Sequence, residues 1–97
     1  MRTLREVTEI LRDSMDSLKS RYPISWIGVF GSYLTGEQTK TSDLDVLVDF
    51  HEPIGLFRFL ELEHDLQGLL AVRGDLVSKK SLKPHIAERV LRQVVLV

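Results

Sequence analysis

Residues 43 to 50, Asp-Leu-Asp-Val-Leu-Val-Asp-Phe, set the tightest condition on what this chain can fold into. The centre of the run, Val46-Leu47-Val48, is apolar at consecutive positions, so a strand built from it needs cover on both faces and belongs in the middle of a sheet. Its start is charged. Side chains two apart in a strand point the same way, so Asp43 and Asp45 project from one side, about 7 Å apart along the backbone.

The rest of the chain supplies the cover. Leu4, Val7, Ile10, Leu11, Met15 and Leu18 recur at three- and four-residue intervals, which predicts an amphipathic helix opened by a Thr3/Glu6 capping box and ended before Pro23. Residues 24 to 30, Ile-Ser-Trp-Ile-Gly-Val-Phe, read as a buried strand bounded by Pro23 and Gly31. Residues 31 to 42 are polar and predict a short helical turn followed by an exposed loop. Helical spacing returns from Leu56 to Ala71, with Phe57 and Leu62 widening its apolar face. Ala71 to Val77 reads as a third strand and Lys83 to Gln93 as a last helix with Ile86, Ala87, Val90 and Leu91 inward. Val94 to Val97 reads as a short terminal strand. The pattern is α/β, a mixed three- to four-stranded sheet flanked by helices.

With 97 residues the chain is expected to form one small domain, burying roughly 60% of its unfolded surface. There is no cysteine, hence no disulfide and no thiolate zinc site. No N-terminal stretch joins a basic start to an apolar core, and no apolar run approaches the roughly 20 residues of a membrane span. A soluble protein in a reducing, cytoplasmic setting is expected. A formal net charge of −1 argues against a dedicated nucleic-acid binder, which carries a basic excess, so phosphate chemistry here has to be local.

Such a locality exists. Two carboxylates aimed together repel unless they meet water, cations or a hard metal such as Mg²⁺, which takes oxygen ligands. Gly31 and Ser32 follow the first strand directly. A glycine at that point leaves backbone N–H groups free for a phosphate, and Ser32 adds a hydroxyl donor. Together with Asp43 and Asp45 they describe a site for a metal-bound nucleoside triphosphate. Asp75 sits in the third predicted strand. If that strand lies beside the Asp43 strand, three carboxylates converge, enough to hold two metal ions about 3.5–4 Å apart, with Asp75 accepting the proton of an attacking hydroxyl.

The run GSYLTGEQTKTSDLDVLVDF, with GDLVSKKSLKPHIAERVLRQVVLV at the C-terminus, resembles minimal nucleotidyltransferases, small members of the DNA polymerase beta superfamily. The likeness covers the chain from Ile24 onward. It implies the nucleotidyltransferase fold, Asp43 and Asp45 as the principal Mg²⁺ ligands, Asp75 as the third carboxylate, and Gly31 and Ser32 as triphosphate contacts. It also implies a role as antitoxin to a helical HEPN-type ribonuclease, with transfer of AMP from ATP onto a tyrosine of that partner. The chain departs from the family pattern at Thr35, where arginine is common, and at Gly74, where an apolar residue is usual. The lost arginine supports a competing expectation, a catalytically degenerate antitoxin that acts by binding alone.

Other residues have plainer readings. Lys40, Arg73, Lys79 and Lys80 are placed to steer a triphosphate or simply to be solvated. Asp49 shares the parity of Asp43 and Asp45 but reads as a solvated strand end. His51, His64 and His85 lack a metal-binding spacing. Trp26, inside an apolar strand, reads as core; Tyr33 is the better candidate for stacking on a base. Arg58 and His64 match the loose Arg-x5-His spacing of HEPN ribonucleases, yet on one helix they stand about 120° apart, and such ribonucleases are all-helical. The Asp-x-Asp of aspartyl-phosphate hydrolases needs a different continuation and a larger, lid-bearing domain.

Overall fold

In the computed structural model, residues 2–35 and 43–97 are described, Ser32 and Thr35 by their backbone alone. The elements run α1 (Leu4–Arg21), β1 (Ile24–Phe30), α2 (Ser32–Thr35), β2 (Leu44–Phe50), α3 (Leu56–Leu70), β3 (Gly74–Ser78), a 3₁₀ turn (Lys79–Ser81), α4 (Pro84–Gln93) and β4 (Val95–Leu96). The sheet order is β3-β2-β1-β4, with β1–β2 and β1–β4 antiparallel and β2–β3 parallel. The apolar centre of β2 is therefore satisfied as its sequence requires: Val46, Leu47 and Val48 are all buried, between one neighbour on each side. Among the described residues, no helix is long and apolar enough to cross a membrane.

Parity sorts the two faces of β2. Leu44, Val46, Val48 and Phe50 join one core with Val7, Leu11 and Leu18 of α1 and Leu62, Leu66 and Leu70 of α3. Leu47 is buried but lies outside that cluster, so Asp43, Asp45 and Asp49 share its face, away from α1 and α3. A parallel pair of strands cannot be joined by a tight turn, and α3 is the crossover that brings β3 beside β2.

The N-terminal helix begins as expected. Thr3 accepts from the Glu6 backbone and the Glu6 side chain caps Thr3 in return. Its far end is tied to α3 by Tyr22, whose hydroxyl donates to Asp65 Oδ2 at 2.5 Å; Arg21 Nη1 donates to the same oxygen at 2.9 Å. Arg58 lies over the Tyr22 ring, 4.9 Å from its centroid, and donates to the Arg21 carbonyl. Burial and the Asp65 hydrogen bond push the Tyr22 hydroxyl up to about 12, while the Tyr22 bond holds Asp65 below the usual carboxylate range. Tyr22→Phe is expected to cost about 1 kcal/mol, a fall in Tm of about 4–8 °C. The sign with pH follows from both shifts. Stability from Tyr22 is complete below its ordinary value of 10 and is lost as pH rises towards 12, and stability from Asp65 is lost as pH falls through its lowered value. Thermal melts of wild type and Y22F across both ranges check this.

Four sequence expectations need correction. The third strand starts at Gly74 and not at Ala71, because Ala71 takes a left-handed conformation (φ 56°) that ends α3 and leaves the next residues to turn the chain. No residue of α4 is buried: Ile86 and Leu91 are 41% and 39% exposed instead of inward. Trp26 is only half-buried. The register shifts between Ile24 and Trp26, so a bulge at Ser25 keeps Ile24 and Ile27 in the core and turns Trp26 to the other face. Tyr33, the proposed stacking residue, is buried instead. The two residues expected to widen the apolar face of α3 part company: Leu62 is fully buried, whereas Phe57 is 85% exposed. The loop expected after α2, and Lys40 with it, lies outside the described residues.

Candidate active site

The sheet registers bring the acidic residues together. Asp45 stands opposite Asp75 across the parallel β2–β3 pair, and opposite Phe30 across the antiparallel β1–β2 pair. Asp43 precedes β2 by one residue, on the Asp45 face. Gly31 follows Phe30 immediately and so abuts Asp45 from the β1 side. Its φ of +86° is one that L side chains rarely adopt, and a methyl group there would overlap Asp45 Oδ2. Gly31→Ala is therefore expected to displace the Asp45 carboxylate as well as strain the backbone, destabilising the fold by about 1–3 kcal/mol; denaturant unfolding measures it. Gly74 serves close approach too, since a Cβ would meet the Leu44 carbonyl at 3.3 Å. Leu44 N–H in turn donates to the Arg73 carbonyl at 2.8 Å, which locks the start of β3 to the start of β2.

The electrostatics are those of an anionic cluster short of a cation. Asp45 is raised above the usual carboxylate range, first by burial, then by Asp75, then by Asp43. Oδ1 of Asp43 is buried without a hydrogen-bond partner. Arg73 Nε faces it at 3.8 Å, too long for a hydrogen bond. Of the basic residues suggested for steering, Arg73 is brought to the carboxylates. Lys79 and Lys80 are not, because Ser78, just before them, already pairs with Val48, several residues along the sheet from Asp45.

These residues fit a hard divalent cation: the donors are all carboxylate oxygens, one is buried without a hydrogen-bond partner, and another resists ionising without a counter-charge. Among the described residues no three His, Cys, Asp or Glu side chains are gathered closely enough to hold an ion unaided. That suits Mg²⁺, which is commonly held by one or two carboxylates together with substrate phosphates, not by an all-protein cage. The three histidines are exposed and take no part. Arg58 is directed to the end of α1 and does not meet His64. Sequence reasoning did not single out Gly28, over which the Val94 side chain and the β4 backbone close, leaving no room for a Cβ. Its position within an apolar strand was the available signal.

A mixed sheet with Gly-Ser at the end of one strand and carboxylates on the next two fits the nucleotidyltransferase fold expected from the sequence. Comparison agrees: the chain belongs to the nucleotidyltransferase domain family, whose model matches residues 11–97. Over its whole length it is 50% identical to a protein of Thermococcus cleftensis named protein adenylyltransferase MntA, covering 98% of that protein. Its fold matches a solved minimal nucleotidyltransferase at 40% identity with a TM-score of 0.79, covering 93% of this chain and 92% of the other. It also matches a toxin–antitoxin crystal structure with AMP-PNP at 26% identity and a TM-score of 0.69, covering 95% of this chain and 69% of that one.

Proposed function

We propose that the chain, as one nucleotidyltransferase domain spanning residues 1–97, transfers AMP from ATP to a hydroxyl of a partner protein, a tyrosine of a helical HEPN-type toxin. It thereby acts as an antitoxin in the cytoplasm. The observation that carries this reading is the pairing of Asp45 with Asp75 while Gly31 abuts Asp45 from the other side. The Thermococcus relative, named a protein adenylyltransferase, and the toxin–antitoxin neighbour with AMP-PNP support it.

In this reading Asp43 and Asp45 hold Mg²⁺, two ions when Asp75 joins them. Bound there, the metal neutralises phosphate charge and orients the α-phosphorus. The backbone after Gly31, with Ser32, holds the phosphates. Asp75, exposed at the sheet edge, is accessible to an incoming hydroxyl and takes its proton. The hydroxyl oxygen bonds to the α-phosphorus, the bond to the β-phosphate bridging oxygen breaks, and pyrophosphate leaves. The acceptor hydroxyl is the partner's, a reading supported by the toxin–antitoxin neighbour.

The test mixes the protein with its partner toxin, Mg²⁺ and α-labelled ATP. Label on the partner that disappears in Asp43→Ala/Asp45→Ala is the expected result. Label that persists in that variant overturns the site, and tight complex formation without any label favours neutralisation by binding alone, the outcome to which Thr35 lends weight.

A further inference from the structure

β3 is an outer strand. Its inner side pairs with β2, and its other side has no strand partner among the described residues. Backbone groups of alternate residues point to opposite sides of a strand. Those of Arg73 and Asp75 face β2, as the Leu44 N–H bond to the Arg73 carbonyl shows, so those of Gly74 and Leu76 face outward. Two side chains of α3 meet them. Glu63 Oε2 accepts from Leu76 N–H at 3.2 Å, and Gln67 Nε2 donates to the Gly74 carbonyl at 3.1 Å. Glu63 and Gln67 are four residues apart, one helical turn, and so lie on the same side of α3. An acceptor and a donor at that spacing imitate the edge of a missing neighbour strand, and the two bonds bracket Asp75.

We propose that Glu63 and Gln67 are positioning residues for Asp75, holding the backbone on either side of it so that its carboxylate stays in register with Asp45. The proposal rests on the reading of Asp75 as the group that takes the acceptor's proton. The bracket is needed because Gly74 is a poor strand residue and an outer strand readily frays. Neither side chain touches the nucleotide site in this scheme, and each acts through the β3 backbone. Glu63 is an acceptor here, so glutamine, which keeps an acceptor oxygen, substitutes for it. Gln67 is a donor, so glutamate, which sets a carboxylate against the Gly74 carbonyl, does not.

The experiment compares Glu63→Ala/Gln67→Ala, Gln67→Glu, Glu63→Gln and Asp75→Asn in AMP transfer to the partner toxin, with amide hydrogen exchange of Leu76 followed by NMR. In the double variant and in Gln67→Glu, kcat is expected to fall about tenfold or more, KM for ATP to stay within about twofold, and Leu76 exchange to accelerate about tenfold or more. Glu63→Gln is expected to keep kcat within about threefold of wild type. Gln67→Glu preserves side-chain size and decides the matter if the double variant does not fold. Wild-type kcat in Gln67→Glu, with Asp75→Asn inactive, overturns the positioning role alone. Wild-type kcat in Asp75→Asn overturns the role of Asp75 and the positioning role with it. Equal losses in Glu63→Gln and the double variant also overturn it, since an acceptor at residue 63 would then not be what matters.

Discussion

Replacing Asp45 by asparagine is expected to reduce nucleotidyl transfer about a thousandfold or more and, at the same time, to raise the Tm of the metal-free protein. The two effects have one cause. In the folded chain the Asp45 carboxylate is half-buried beside Asp75 and Asp43, an arrangement that disfavours its charged form. A raised carboxylate value means that stability is greatest while Asp45 is protonated, falls as pH rises from the ordinary carboxylate range through the raised value, and stays low above it. Asparagine has the shape without the charge, so the metal-free variant loses this pH dependence and melts higher at neutral pH. On the proposed reading it also loses a ligand for the metal, whose charge stabilisation is worth several kcal/mol at about 1.4 kcal/mol per tenfold in rate. Melting curves with and without Mg²⁺ and ATP separate the effects. Wild type gains Tm from Mg²⁺ and ATP together, because a ligand bound only by the folded state stabilises it by mass action, and Asp45→Asn gains little. A metal-free variant that melts lower than wild type contradicts this account.

The largest expected loss of stability comes from Leu62→Ala. Leu62 is fully buried and belongs to the core that α3 forms with α1 and the sheet. Truncation removes apolar contact and leaves a cavity, costing about 2–5 kcal/mol. For a domain of this size that is a fall of at least about 8 °C in Tm. Phe57→Ala, in the same helix, is expected to change stability by no more than about 0.5 kcal/mol, because Phe57 is 85% exposed. Urea unfolding of the two variants against wild type measures both. Comparable losses would mean that Phe57 is buried in solution by something other than this chain's own core.

That pair of residues also marks where sequence patterning stops being informative. Helical spacing locates α3 and distinguishes its polar from its apolar residues, but Phe57 and Leu62 both read as additions to the apolar face, and only the packing of α3 between α1 and β3 separates them. The strands were more legible. Ile24 to Phe30 reads off directly because Pro23 and Gly31 bound it. The central position of β2 follows from apolar residues at consecutive places. What failed depended on single backbone conformations: the bulge at Ser25 that reverses Trp26, and the left-handed Ala71 that delays β3. The placement of α4 failed for a different reason. It is amphipathic, as its sequence says, but its apolar side has little core to meet. Asp43, Asp45 and Asp75 could be nominated from sequence, whereas the registers placing Asp45 against Asp75 and Gly31 could not. The bonds from Glu63 and Gln67 left no sequence signal, since both residues look like ordinary polar positions on an amphipathic helix.

The parallel pairing of β2 with β3 has a consequence for how the molecule assembles. Asp45 and Gly31 come from antiparallel neighbours close in the chain, whereas Asp75 reaches Asp45 only after the 15-residue α3 has crossed over and docked. Closing a non-local contact of this kind is entropically slower than pairing adjacent strands. During synthesis and folding, β1 and β2 can therefore bring Gly31 to the Asp43–Asp45 pair while the third carboxylate is still absent. Completion of the acidic cluster coincides with completion of the sheet, so a chain stalled short of its native state lacks the residue assigned to accept the proton.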